Sequence, residues 1–249
     1  MWWIAHGEHE VPAGTDWLSP REREVLGGIR YTKRYLEFLT RRWTAKRALA
    51  TVLERDLAPD ALAALEIGHH PSGAPFVVVD GQRAAIDVSM SDRAGWAVCL
   101  VGRPGSAPGP VGIDLELVEP RSVGFVDDFF TASERNRVHS LPAGDARDEA
   151  ANLIWSAKEA ALKVLKVGLR ADTRDVEVDA TRARRSDGWG SLSVVSRDGS
   201  DFPGWWRRDG VFVLTIAGTA PTEPPSRLDG GGDLATAAPM DTWLKRPLV

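Results

Sequence analysis

Cysteine is nearly absent. Of 249 residues only Cys99 is a cysteine, so no internal disulfide can form. It lies in the apolar run Trp96–Val101, with no His or Lys close in sequence to activate it, and reads as a core thiol. Long hydrophobic runs are missing too: nothing approaches the roughly 20 residues of a membrane span. Met1-Trp2-Trp3-Ile4-Ala5 has neither the basic start nor the apolar length of a signal peptide. The expectation is a cytoplasmic protein with no membrane partner. No strong excess of positive charge exists either: 31 basic residues against 35 acidic ones leave a net value of -4, which argues against a nucleic-acid partner. No Gly-rich phosphate loop, nucleophile elbow or dinucleotide fingerprint occurs. The five histidines lack zinc-site spacing: His6 and His9 lie near a terminus expected to be mobile, His69 and His70 are adjacent, and His139 is isolated.

What is present is ordinary for a folded domain. A hydrophobic share of 43% and a charged share of 27% suit a globular chain long enough for one large core or two smaller ones. Ser19-Pro20-Arg21-Glu22 and Thr131-Ala132-Ser133-Glu134 are capping boxes that open helices. A basic helix is expected over residues 31–53 and a short one near Asp60. The strongest helix is expected from Glu149 to Val167, with Ile154, Ala157, Ala161 and Leu165 as its apolar stripe and Gly168 ending it. Strands are expected at 65–70, 76–79, around Val88, and at 95–101, 111–118, 174–179, 191–196 and 211–217. Turn formers crowd Gly102–Pro110, the best internal boundary. This gives an N-terminal half, 1–104, and a C-terminal half, 111–218. Residues 219–249 carry five prolines and the run Gly230-Gly231-Gly232, and read as a mostly disordered tail from which Trp243 and Leu244 are the residues expected to dock. No short-period repeat is visible, although both halves run from helix towards strands. The ten tryptophans read as core and rim residues rather than a stacking platform.

Three patterns carry chemistry. In Gly112-Ile113-Asp114-Leu115-Glu116 the period of a strand places Asp114 and Glu116 on one face, where a shared hard divalent cation would relieve their repulsion; the alternative is a solvated strand face. In Trp155-Ser156-Ala157-Lys158-Glu159-Ala160-Ala161-Leu162-Lys163 the period of a helix stacks Trp155, Glu159 and Lys163 along one stripe. An acid between two amines suits proton transfer beside a phosphate, or is simply a surface ion pair. A basic run with Lys33, Arg34, Arg42 and Lys46 would hold a phosphate-rich ligand or form a solvated helix face.

The order and spacing of these motifs over roughly residues 18–217 resemble the Sfp-type 4'-phosphopantetheinyl transferases. That family carries G-I-D-x-E on a strand and W-x-x-K-E-x-x-x-K on a helix. Phe129, Phe130 and Glu134, and the segment Glu37–Leu49, match further family elements. The resemblance implies an α+β, pseudo-two-fold fold of two similar halves, each with a small antiparallel-rich sheet and helices, and coenzyme A in the cleft between them. It implies transfer of 4'-phosphopantetheine to a serine of an apo acyl or peptidyl carrier protein by a monomer, releasing 3',5'-ADP. Asp114, Glu116 and Glu159 would hold Mg²⁺, or Mn²⁺ in its place. Glu159 would help deprotonate the serine, while Lys163 and Lys158 would serve the phosphates. The family's basic residue in a G-[KR]-P turn is Ala74 here, and the histidine of its S-x-[ST]-H segment is Asp92, after Ser89 and Ser91. Phosphate binding then falls to Arg34, Arg42 and Lys46, with Ser89 or Ser91 donating and Asp92 orienting a neighbouring arginine. The alternatives are a non-catalytic coenzyme A or carrier-protein binder, which would not need the acids and lysines, and a metal-dependent phosphohydrolase, which would need a fuller metal shell.

Overall fold

The computed structural model describes residues 1–102, 109–166, 172–181 and 185–240. Most of the Gly102–Pro110 linker, Gly168, Trp243 and Leu244 lie outside these. The chain divides into two compact units, one of Met1–Ala107, Pro225–Asp233 and Ala237–Val249, the other of Pro108–Pro224 and Leu234–Thr236. Both mix helices and antiparallel sheets, so the α+β class holds.

In the first unit, β1 (Trp2–Gly7) is followed by α1 (Pro20–Gly27), α2 (Thr32–Val52) and α3 (Pro59–Ala63). Strands β2 (Leu65–His69), β3 (Pro75–Val79), β4 (Gln82–Arg83), β5 (Val88–Arg93) and β6 (Trp96–Val101) come next. Helix α2 buries Phe38, Ala45, Ala48 and Leu49 against Ile4, Cys99 and Val101 of the sheet. In the second unit, β7 (Gly112–Leu117) leads into α4 (Val123–Phe129), α5 (Ala132–His139) and α6 (Asp145–Val164). The sheet is completed by β8 (Val176–Ala180), β9 (Gly190–Ser196), β10 (Asp201–Asp209) and β11 (Phe212–Ala217), in the order β7-β11-β10-β9-β8. Helix α6 starts earlier than its apolar stripe foretold. Gly144, at φ 121, turns the chain in, and Asp145 and Asp148 complement the helix dipole in the first turn. Leu165 lies past the helix and is exposed rather than part of the stripe.

The two units repeat one construction. Ser19 caps α1 and Glu22 closes the capping box. The Glu22 carboxylate also accepts from Ile67 N–H at 3.0 Å and pairs with Lys46 Nζ at 2.6 Å. Lys46 is fully buried and donates to the carbonyls of Leu62 and Leu65. In the second unit Thr131 caps α5 and Glu134 closes the box. Glu134 accepts from Val178 N–H at 2.9 Å and pairs with Lys158 Nζ at 2.8 Å, and Lys158 donates to the carbonyls of Thr173 and Val176. Thr131, Glu134 and Lys158 each stand 112 positions after Ser19, Glu22 and Lys46. A long-period repeat therefore exists. Trp43-Thr44-Ala45-Lys46 against Trp155-Ser156-Ala157-Lys158 is its clearest trace in sequence.

The segment after Thr219 is not the disordered tail its composition implied. Over its described residues it forms a strap. Strand β12 (Ser226–Arg227) pairs in parallel with β1. Leu228 N–H and Gly232 N–H donate to the carbonyls of Trp3 and Ala5, each at 2.8 Å, and Met240 N–H donates to that of Ala94 at 2.8 Å. Leu234 is buried. The glycines that suggested disorder are there for close approach: a Cβ on Gly231 would lie 2.5 Å from Ile4 Cγ1 and 2.7 Å from Ala5 O. The same strap encloses β1, so His6 is 2% exposed rather than mobile. A chain ending at Gly218 is expected to unfold at clearly lower urea than the full chain, and Gly231→Val to lose roughly 1–3 kcal/mol by overpacking. Equilibrium urea unfolding checks both, and unchanged midpoints would show that the strap contributes nothing.

Candidate active site

The acids come together in the second unit. Gly112 opens β7 and lets α6 pack directly on it: a Cβ at this position would overlap the Ala160 carbonyl. That approach brings Glu159 of α6 to the strand carrying Asp114 and Glu116. Asp114 is 5% exposed, and the Lys163 ammonium, one turn on from Glu159, reaches its Oδ1 at 2.8 Å while also donating to Ile113 O at 2.8 Å. Trp155 Nε1–H donates to Glu116 Oε1 at 3.0 Å, and Arg121 pairs with Glu116 Oε2 at 2.9 Å. Arg121 is held in turn by buried Asn152 at 2.6 Å and stacks on Phe125. Phe125 and Phe129 pack edge-on against Trp155. Arg121 and Asn152 went unnoticed in the sequence because neither belongs to a motif. The signal that pointed there was only the proximity of Arg121 to Glu116.

Glu159 feels this arrangement most. Burial, then the negative charge of Asp114, raise its carboxyl to about 7; Lys163 opposes the shift and Glu116 adds to it. Its Oε1 is buried and, among the described residues, has no hydrogen-bond partner. An orphaned carboxylate oxygen beside two further carboxylates is a set of hard donors that suits a hard cation. Among the described residues, however, no three acidic, histidine or cysteine side chains stand close enough to enclose a metal by themselves. The set fits a cation such as Mg²⁺ that takes one or two carboxylates and fills its remaining positions with phosphate oxygens and water.

The structure corrects several expectations for the phosphate-binding residues. Lys46 and Lys158 are fully buried in the repeated clamps, with carboxylate and carbonyl partners, so neither presents an amine to a ligand. Arg42 is 4% exposed, lies 3.3 Å from Glu22 and from His69 Nδ1, and stacks on Phe38. These cations are consumed because a charge taken from water needs a close partner of opposite sign. Arg34 is exposed on α2. Ser89 and Ser91 lie in β5 and are buried. Asp92 engages Arg41 of the basic helix α2.

A concavity of about 1070 Å³ lies elsewhere in this unit, between the start of α5 and β8 and β9. Of its arginines, Arg137 is taken by Val178 O, Arg174 by Asp172 and Arg197 by Asp175. We place the chemistry at the acids instead, because there burial and neighbouring carboxylates hold a carboxyl near neutrality.

Residues 110–188 match the model of the 4'-phosphopantetheinyl transferase superfamily. That stretch holds both acidic motifs, and the relatives that match over most of the chain are 4'-phosphopantetheinyl transferases by name. It is 27% identical over 192 residues to a putative 4'-phosphopantetheinyl transferase of Synechocystis sp., a match covering 70% of this chain and 73% of that protein. It is 25% identical over 189 residues to a 4'-phosphopantetheinyl transferase of Bacillus subtilis, covering 73% and 79%. The crystal structure of Thermotoga maritima holo-acyl-carrier-protein synthase matches with a TM-score of 0.34 at 23% identity, over 43% of this chain and 61% of that one.

The raised Glu159 gives a stability prediction for the metal-free protein. A carboxyl at about 7 in the folded state, against 4.5 as its reference value, binds a proton in the native state that the unfolded state has lost. Stability should therefore fall as pH rises from about 4.5 to about 7, by roughly 1–3 kcal/mol. Glu159→Gln should remove most of that slope. Urea unfolding across the window checks it, and an unchanged slope in the variant would place the titration elsewhere.

Proposed function

We propose that this chain moves 4'-phosphopantetheine from coenzyme A to the serine hydroxyl of an apo acyl or peptidyl carrier protein, releasing 3',5'-ADP. The observation that carries this reading is the buried Glu159 carboxylate, poised near neutrality between Asp114, Glu116 and Lys163. The serine Oγ would form a bond to the pantetheine-side phosphorus as the bond from that phosphorus to the oxygen bridging the pyrophosphate breaks. A carboxyl near 7 is matched to taking up the serine proton, directly or through a water. The Lys163 ammonium, which rests on Asp114, would balance charge on the departing phosphate. Trp155 and Arg121 hold Glu116 in one orientation, so the acids do not have to be ordered when the reaction occurs. One or two of Asp114, Glu116 and Glu159 would hold Mg²⁺. When bound, that ion supplies positive charge to the pyrophosphate.

Asp114→Ala and Glu159→Ala are each expected to lower transfer by at least about 10²-fold, the scale for removing one element of preorganised electrostatics. Both should keep the native fold, and carrier mass after incubation with coenzyme A and Mg²⁺ is the readout. Mg²⁺-dependent transfer at the original rate by either variant would overturn the assignment. The two lysines should separate cleanly. Lys163→Ala should slow transfer in a folded protein. Lys158→Ala should instead cost about 3–5 kcal/mol of stability, because it leaves Glu134 buried and unpaired. A Lys158→Ala protein of native stability but without activity would return that lysine to the phosphates.

A further inference from the structure

The repeat locates the first unit's counterpart of the acidic site. Strands β1 and β7 pair end to end with β6 and β11, Trp2 opposite Val101 and Gly112 opposite Ala217, so Ile4 corresponds to Asp114 and His6 to Glu116. Along the helices, at the same separation of 112, Trp43 corresponds to Trp155, Arg47 to Glu159 and Thr51 to Lys163. Three acids have become an apolar residue, an imidazole and a guanidinium. The lysine that balanced them has become a threonine.

The replacements form a closed circuit of contacts. His6 packs edge-on against Trp43, with ring centroids 6.3 Å apart, and Arg47 lies 5.5 Å from the Trp43 ring centroid. A Cβ on Gly230 would lie 3.0 Å from Arg47 Nη2, and His6 Nε2 is 3.2 Å from Gly230 O. A carbonyl can only accept, so Nε2 carries the proton. Burial keeps the imidazole neutral by lowering its pKa, which makes Nδ1 an acceptor. Three buried atoms in this circuit have no hydrogen-bond partner among the described residues: His6 Nδ1, Trp43 Nε1 and Arg47 Nε. Among those residues Arg47 also makes no ion pair. Glu10, the acid whose charge reaches His6, accepts from Gly7 N–H at 2.6 Å and does not pair with Arg47.

We propose that this circuit binds a protonated oxyanion, with hydrogen phosphate the best match. Two of the orphaned groups donate, from a guanidinium and an indole, and the third accepts. A fully deprotonated anion such as sulfate meets the two donors but has no proton for His6 Nδ1. Hydrogen phosphate satisfies all three, and the guanidinium supplies the counter-charge. Buried polar groups are seldom left without partners, so the site calls for an occupant. The inference rests on the first unit alone and does not depend on the transfer reaction.

The test uses the full chain labelled with ¹⁵N and inorganic phosphate as probe. The Trp43 indole N–H resonance is assigned with Trp43→Phe and followed through titrations of phosphate and of sulfate at neutral pH. Phosphate should shift that resonance and raise the melting temperature. Sulfate should bind about tenfold more weakly, the loss expected when one buried polar group is left unmet. Arg47→Gln should abolish the phosphate response while the other indole resonances stay dispersed. Trp43→Phe should reduce the phosphate-dependent rise in melting temperature and keep the test valid if the arginine variant fails to fold. No response to phosphate would mean that water fills the circuit, and an equal response to sulfate would remove the role given to His6. A phosphate response abolished by saturating coenzyme A would assign the shift to the coenzyme's own phosphate contacts. Each of these three results overturns the proposal.

Discussion

A buried carboxylate holding a buried ammonium organises both units. Glu22 with Lys46, and Glu134 with Lys158, each tie the start of one helix, the middle of a longer helix and the loop entering a strand to a single point. Neither charge could be buried alone. Capping-box and loop hydrogen bonds fill the remaining lone pairs and protons, as such a pair requires to offset its desolvation. The clamp also fixes the register of the long helix. In α6 that register places Glu159, the neighbour of Lys158, and Lys163 beside β7. Lys158, which looked catalytic in the sequence, is itself a buried member of the clamp, and it is the adjacent acid that lies beside β7.

Much of the acidic site was legible from periodicity. Asp114 and Glu116 two apart on a strand, and Trp155, Glu159 and Lys163 four apart on a helix, are statements about geometry that any folded context must respect. Most elements were legible for similar reasons, since capping boxes and alternation are local. What was not legible is which cations meet a ligand. Lys33, Arg34, Arg42 and Lys46 look alike in one dimension, and only the position of Glu22 and the carbonyls of Leu62 and Leu65 shows that Lys46 is consumed internally. Strand β10 escaped notice because Pro203 and Gly204 interrupt it. Gly204 is needed where β10 meets β11: a Cβ there would overlap Ile216 O.

The glycine-rich strap shows how composition misleads. Proline, glycine and alanine in quantity usually mean that little apolar surface can be buried. Here the same residues let backbone lie on backbone, and hydrogen bonds to Trp3, Ala5 and Ala94 replace side-chain packing. No helix of the described residues is long and apolar enough to cross a membrane. The apolar strands at the start of the chain serve a sheet instead.

That strap has a consequence for synthesis on the ribosome. Strand β1 emerges before the other described elements of these two units and β12 after them, yet the two are neighbours in one sheet. While the intervening two hundred or so residues are made, the outer edge of β1 stays unpaired, with its backbone donors and acceptors exposed. The second unit draws its sheet from one continuous stretch and can close during elongation. The first must wait, so a nascent chain paused before Ser226 presents an open strand edge to whatever other chains surround it.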